Sequence, residues 1–419
     1  MNEKLLQYLW YYKIFSSLDF HDTEGNPIEI INFGKWNQDS GADFLFAKIR
    51  HNGVELAGNI ELHIKSSDWI FHRHSENPDF SNVILHAVYE HDLDIEAISE
   101  KNIPTLELKK YISDETLQKY QLLLNETSFI PCEEIFSPDR IPFGFHDETL
   151  LNRLEEKSKE IEMRLKQQKN DYEAVLFHNI AYAFGLKVNA EIFRQIAESV
   201  NFQIVRKISQ NNIQIEALLF GLSNWLDEPA DAEMMKWKTE FDFLVRKFGI
   251  VQTTLRPKFL RLRPPNFPTL RMSQLAHLYH THQNLFSKIM QSENLNGLFE
   301  IFDGVKASVY WNTRFNFGKE SDQDYEKKIS RKFIELVIIN AVLPLKYTYH
   351  KHQNEYIADE IVGFYAQLPA EENTIVNNWK RLGCKIPSAL ESQALLHHYQ
   401  NFCIKKNCLK CAIGFKLLN

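Results

Sequence analysis

Near Asp147 the hydrophobic period of this chain changes, and the change limits the folds open to it. Before that point apolar residues sit in short β-branched and aromatic runs at 28–33, 44–50, 54–65, 82–89 and 105–109, punctuated by Gly, Asn, Asp and Pro. Such runs predict strands. After it the spacing is helical through 150–169, 172–184 and 190–200. One amphipathic helix is predicted ahead of the strands, over 3–18, from Leu5, Leu6, Leu9, Trp10, Ile14 and Phe15. The run 83–88 is apolar apart from His86, as expected of a strand covered on both faces. The predicted architecture is an α/β N-terminal domain over residues 1–140, with a mixed sheet flanked by helices, and a mostly α-helical domain over 141–419 that ends in a Cys-rich tail. The boundary is placed in the Pro- and Gly-containing segment from Pro131 to Gly144.

At 419 residues the chain is long for one core. Hydrophobic content of 44% and charged content of 25% are ordinary globular values, so a folded protein is expected. A formal net charge of −7 gives no overall attraction to nucleic acid or to an anionic membrane, and any phosphate binding must be local. The first ten residues lack a signal-peptide pattern, and the longest apolar stretch, 333–345, is broken by Glu335 and Asn340. Five Cys, an odd number, suggest no disulfide framework. These features point to a cytoplasmic protein with no membrane role; its protein partners are not specified by them.

The chemistry concentrates in residues 34–92, where Asp43, Glu61, His63, Lys65, Asp68, His72 and His74 lie among strand-like runs. Alternation in Asn59-Ile60-Glu61-Leu62-His63-Ile64-Lys65 puts Glu61, His63 and Lys65 on one strand face. That face can hold a divalent metal and activate water, or it can be a solvated face with Glu61 paired to Lys65 or Lys48. Asn52-Gly53 marks a hairpin. With a two-residue turn, paired positions add to 105 and Asp43 faces Leu62. With a three-residue turn and Gly53 as a left-handed bulge they add to 104, and Asp43 lies across from Glu61. The second register is the one expected here, and two adjacent carboxylates then invite Mg²⁺.

An acid opening one strand, followed 18 positions later by an acid, any residue and a basic one, resembles the PD-(D/E)xK nuclease core. The resemblance implies a restriction-endonuclease-like fold, Mg²⁺ held by Asp43 and Glu61, and water handled by the basic residue. His63 stands where Lys is expected, with Lys65 two residues on. Over its whole length the chain also resembles an uncharacterised bacterial family, domain-of-unknown-function family 2851. The residues carrying that likeness are Gly58-Asn59-Ile60-Glu61-Leu62-His63, Ser66-Ser67-Asp68-Trp69, His72-x-His74, Arg261-Leu262-Arg263-Pro264-Pro265-Asn266-Phe267-Pro268, and the segment from Cys403 to Gly414.

Three further features carry chemistry with a structural alternative beside each. His72-x-His74 offers a second metal or phosphate contact, or caps a surface loop. His86 reads as a satisfied core histidine. Cys403, Cys408 and Cys411 are spaced for a zinc knuckle, preferred over an iron–sulfur cluster, with the fourth ligand from Cys132, Cys384, His397 or His398; otherwise they are buried thiols. The stretch containing Arg256, Lys258, Arg261, Arg263 and Arg271 is strongly basic with interleaved aromatics, which suits nucleic acid or a carbonyl-locking structural role equally. The expected function is a metal-dependent nuclease with Asp43, Glu61, His63 and Lys65 as catalytic residues. The alternative is an inactive nuclease-like module that binds nucleic acid or a protein.

Overall fold

Asn52 and Gly53 both take positive φ, 50° and 78°, so the hairpin turns in two residues with the twist its strands require. The flanking strands are β4 (Phe44–His51) and β5 (Val54–Lys65). Their register runs from His51 opposite Val54 to Ala47 opposite Gly58, the first of the two registers weighed above. It then shifts by one, so that Phe44 faces Ile60. The extra residue is absorbed around Phe46, which is left-handed (φ 59°) and 75% exposed. Bulges of this kind re-aim the side chains beyond them. Here the consequence is that Asp43 comes opposite Glu61, although Gly53 is not the bulge.

The computed structural model describes residues 1–37, 40–123 and 128–418. Two compact units are formed: one from residues 1–145, 378–384 and 398–419, the other from 146–377 and 385–397.

The first unit is built on a seven-stranded sheet. Preceding the hairpin are β1 (Phe20–His21), β2 (Pro27–Asn32) and β3 (Lys35–Trp36); following it are β6 (Val83–Glu90) and β7 (Thr105–Glu107). The order is β1-β2-β4-β5-β6-β7, with β3 paired to β4. The β1, β2, β3 and β4 pairings are antiparallel, whereas β5, β6 and β7 run parallel, so the sheet is mixed. Gly58 permits a close approach of β5 to the segment entering β6. A Cβ there would lie 2.4 Å from the Asn82 carbonyl oxygen.

Helix α1 (Glu3–Tyr12) starts where the Asn2 side chain accepts from the Leu5 N–H and stops at left-handed Lys13 (φ 57°), short of the 3–18 predicted. It buries Leu5, Leu6, Leu9 and Trp10 and packs on β5. The parallel β5-to-β6 crossover carries a single helical turn, α2 (Asp68–Phe71), and two 3₁₀ turns, at His74–Glu76 and Pro78–Phe80. Two short helices close this part of the chain, α3 (Glu96–Ser99) and α4 (Asp114–Leu122). The tail returns to this unit, burying Cys403, Cys411, Ile413, Leu417 and Leu418.

The second unit is mostly helical. It begins with α5 (Phe145–Gln167), α6 (Tyr172–Phe184) and α7 (Leu186–Glu198), with Asp171 capping α6 by accepting from the Ala174 N–H. Its core includes Phe177, Phe184, Phe220, Trp237 and Trp311. Two buried lysines are spent inside it, Lys346 donating to the carbonyls of Met290 and Ser292, and Lys327 to those of Trp311 and Asn312. Among the described residues no helix is long and apolar enough to cross a membrane.

Candidate metal centre

Glu61 and His63 project from one face of β5, and both are almost completely buried, at 6% and 1% exposure. A solvated strand face is therefore excluded. The parallel register sets His86 of β6 beside Glu61, and the His86 Nε2 atom lies 2.9 Å from His63 Nδ1. Downstream, Ser66 and Ser67 are tied to Asp92 and Asp68 accepts from the Lys65 N–H, which turns the chain back at the end of β5. Arg73 then takes a left-handed conformation (φ 57°), with His72 and His74 on either side of it. Both rings converge on the free edge of His63. His63 Nε2 lies 3.1 Å from His74 Nε2 and 3.2 Å from His72 Nδ1.

A carboxylate adjoins two members of this group. Glu61 Oε1 is 3.3 Å from His74 Nε2 and 3.5 Å from His63 Nε2. Its other oxygen accepts from the Asp43 N–H at 3.1 Å. In return Asp43 Oδ2 accepts from the Leu62 N–H at 3.0 Å, and Gln7 of α1 donates to Asp43 Oδ1 at 2.7 Å. The two carboxylates are thus locked across the β4–β5 ladder by the register shift.

Trp69 walls the cluster. It is 1% exposed and meets the His74 and His86 rings edge to face, at 5.3 and 5.1 Å between centroids. Phe80 lies against His74 at 3.7 Å. This apolar lining sets the electrostatics. Burial, then the neighbouring rings of His86, His74 and His72, pushes His63 down to about 2, and burial pushes His86 down to about 3. Both imidazoles are neutral at pH 7, the form that ligates metal. Burial also raises Glu61 above the usual carboxylate range, and burial followed by the Glu61 charge raises Asp43. A buried pair of carboxyls without a cation keeps a proton.

The arrangement can coordinate a metal ion: His63, His72 and His74 offer one ligand atom each, all within 4.8 Å of one another. A family model described as "Protein of unknown function (DUF2851)" matches residues 3–374. The chain belongs to this family. No curated protein and no solved structure gives a match.

In this DUF2851 chain the metal expectations need two corrections. Among the described residues, the His trio is the group of three or more His, Cys, Asp or Glu side chains close enough to share an ion, and all five cysteines are described. No zinc knuckle forms from Cys403, Cys408 and Cys411; these are free thiols, and burial pushes Cys408 up to about 11. Nor do Asp43 and Glu61 form a Mg²⁺ site on their own. Three of their four oxygens already accept from Gln7, Leu62 and Asp43, and the donors beside them are imidazoles, which suit transition metals better than Mg²⁺.

Of the other residues singled out, Lys65 is over half exposed and its ammonium pairs with Asp92 at 3.9 Å, while Lys48 pairs with Glu55. Neither neutralises Glu61. Arg271 is buried, donating to Gln274 and Asn266 and stacked over Phe333 at 3.7 Å, so it is structural. Arg256, Lys258, Arg261 and Arg263 are exposed in the second unit. Gln7 was not singled out from sequence, and nothing in a helix face distinguishes it there. His72 and His74 serve the same cluster as His63 rather than a second site, a grouping the Glu-x-His and His-x-His spacings together would have suggested.

Proposed function

We propose that this chain is a metal-dependent hydrolase that cleaves phosphodiester bonds of nucleic acid, with a divalent transition ion held by His63, His72, His74 and Glu61. The observation that carries the reading is the convergence of ligand nitrogens of His63, His72 and His74 within 4.8 Å of one another, with Glu61 Oε1 3.3 Å from His74 Nε2 and 3.5 Å from His63 Nε2. A tetrahedral ion with ligands at about 2.0 to 2.1 Å has edges of roughly 3.3 Å. His86 is a positioning residue. By accepting from His63 Nδ1 it leaves the Nε2 lone pair of His63 facing the ion.

When bound, the ion supplies Lewis acidity and lowers the pKa of water. The protein's own groups do the rest. His72 is the exposed member of the set, so water reaches the centre from its side. Asp43, held by Gln7 and Leu62, accepts the proton lost when water attacks phosphorus. It returns that proton to the departing oxygen as the P–O bond breaks. The phosphodiester assignment rests on the order of elements: a helix, an antiparallel hairpin and a parallel crossover strand resemble the restriction-endonuclease-like arrangement, with acids at the PD-(D/E)xK positions.

The test is incubation of the purified chain with Mn²⁺ or Zn²⁺ and mixed nucleic acids. Cleavage that disappears with chelator and in both Glu61→Ala and His63→Ala supports the reading. Metal binding in the wild type with no cleavage of any nucleic acid refutes the catalytic part.

A further inference from the structure

Beside the metal centre, the first unit has a cleft of about 540 Å³ with Asp43 and Gln7 in its wall. Four lysines line it: Lys4 from α1, and Lys405, Lys406 and Lys410 from the C-terminal tail. All four are exposed. Trp36 and Tyr120 form an aromatic part of the lining, Trp36 braced by Tyr11 and Phe44 at 5.2 and 6.0 Å.

Such a concentration of positive charge is notable in a chain of net charge −7. The tail segment that carries three of these lysines is closely packed at both ends. A Cβ at Gly414 would lie 2.2 Å from the Cys408 carbonyl oxygen, and Cys403 and Cys411 on either side of the segment are buried. Left-handed Lys406 (φ 52°) turns the chain between them. The lysines are therefore presented from a packed segment at the mouth of the space that ends on Asp43.

We infer that this cleft is the binding track for a single strand of nucleic acid, with Lys4, Lys405, Lys406 and Lys410 on successive phosphates leading the backbone to Asp43. The inference rests on the phosphodiester reading above and gives it a substrate class. Each unpaired nucleotide carries one phosphate charge, which an ammonium meets as a point charge. Aromatic lining beside a cationic groove is how single strands are held without sequence readout. A space of about 540 Å³ is of ligand-pocket size, so it takes about one nucleotide beside Asp43, leaves the flanking phosphates to the lysines at its mouth, and excludes a duplex.

The experiment is fluorescence anisotropy on the full chain in EDTA, so that binding is read without cleavage. The probes are a labelled oligothymidylate strand and a labelled duplex. Four phosphate contacts give a slope of log affinity against log salt near −0.7 per contact, about −3 in all. Lys405→Glu with Lys410→Glu is expected to weaken strand binding at least tenfold and to bring the slope to about −1.4. Lys4→Glu, on a different element, is expected to weaken it as well, and circular dichroism of each variant checks the fold. Strand binding that is unchanged in these variants, or a duplex bound as tightly as the strand, overturns the inference. Cleavage with such unchanged binding leaves the hydrolytic reading standing without the cleft. Lysine-dependent binding with no cleavage under any metal keeps the cleft and removes the hydrolytic reading.

Discussion

His63 touches four groups that matter: His86 on one nitrogen, and His72, His74 and Glu61 around the other. Replacing it with Ala is expected to abolish stoichiometric metal binding. His86→Ala is expected to weaken it on the order of 10- to 100-fold, since His86 only orients a ligand. Titration calorimetry with Mn²⁺ or Zn²⁺ separates the two, and equal losses would make His86 a ligand. A different residue carries a pH effect. Glu216 is 1% exposed in the second unit; burial raises it to about 7 against a hydrogen bond from Ser273. Its folded pKa lies above the unfolded value, so the carboxyl carries no penalty below about pH 4 and an increasing one up to about pH 7. Glu216→Gln is therefore expected to gain stability relative to wild type across that interval, by on the order of 2 to 3 kcal/mol above it. Urea melts at about pH 4.5 and pH 8 check the sign; a larger benefit at the lower pH contradicts it.

At the scale of elements, the register shift at Phe46 decides whether the carboxylates meet. Deleting Phe46 takes out the extra residue, so Leu45 comes opposite Asn59 and Asp43 keeps its place across from Glu61 in a ladder without the bulge. Metal binding and activity are then expected to survive the deletion. Activity lost while metal still binds to His63, His72 and His74 would show that the bulge itself aims the Asp43 carboxylate. Phe46→Gly keeps the bulge and relieves a left-handed non-glycine residue, so it is expected to leave the melting temperature unchanged or raise it. The contrast shows what sequence carries and what it does not. Asn52-Gly53 announces the hairpin, because few residues tolerate two positive φ values in a row. A phenylalanine announces no bulge, and the cause lies in its neighbours, where Asn59 accepts from the Phe46 N–H. Glu61 and His63 were legible by alternation. That three imidazoles rather than two carboxylates make the centre was not, because left-handed Arg73 has no signature in composition.

For the molecule as a whole, the change of period near Asp147 is visible in the structure as the start of the helical unit, but the return of 398–419 to the first unit is not readable from pattern. A short apolar tail looks the same whichever core it joins. Its residues place Phe415 against Tyr12 of α1, at 4.8 Å. Removing residues 398–419 is expected to destabilise the unit that holds the metal centre and to spare the helical one. Metal added in large excess over its dissociation constant stabilises by about 4 kcal/mol at a thousandfold excess, and only the first unit's transition is expected to shift. The claim on which the rest depends is that the ion sits among imidazoles. X-ray absorption at the metal edge of the loaded protein reads this directly. The expected spectrum shows about four N/O scatterers near 2.0 Å with imidazole multiple scattering, lost in His63→Ala; sulfur scatterers near 2.3 Å would put the ion on the cysteines and contradict the account.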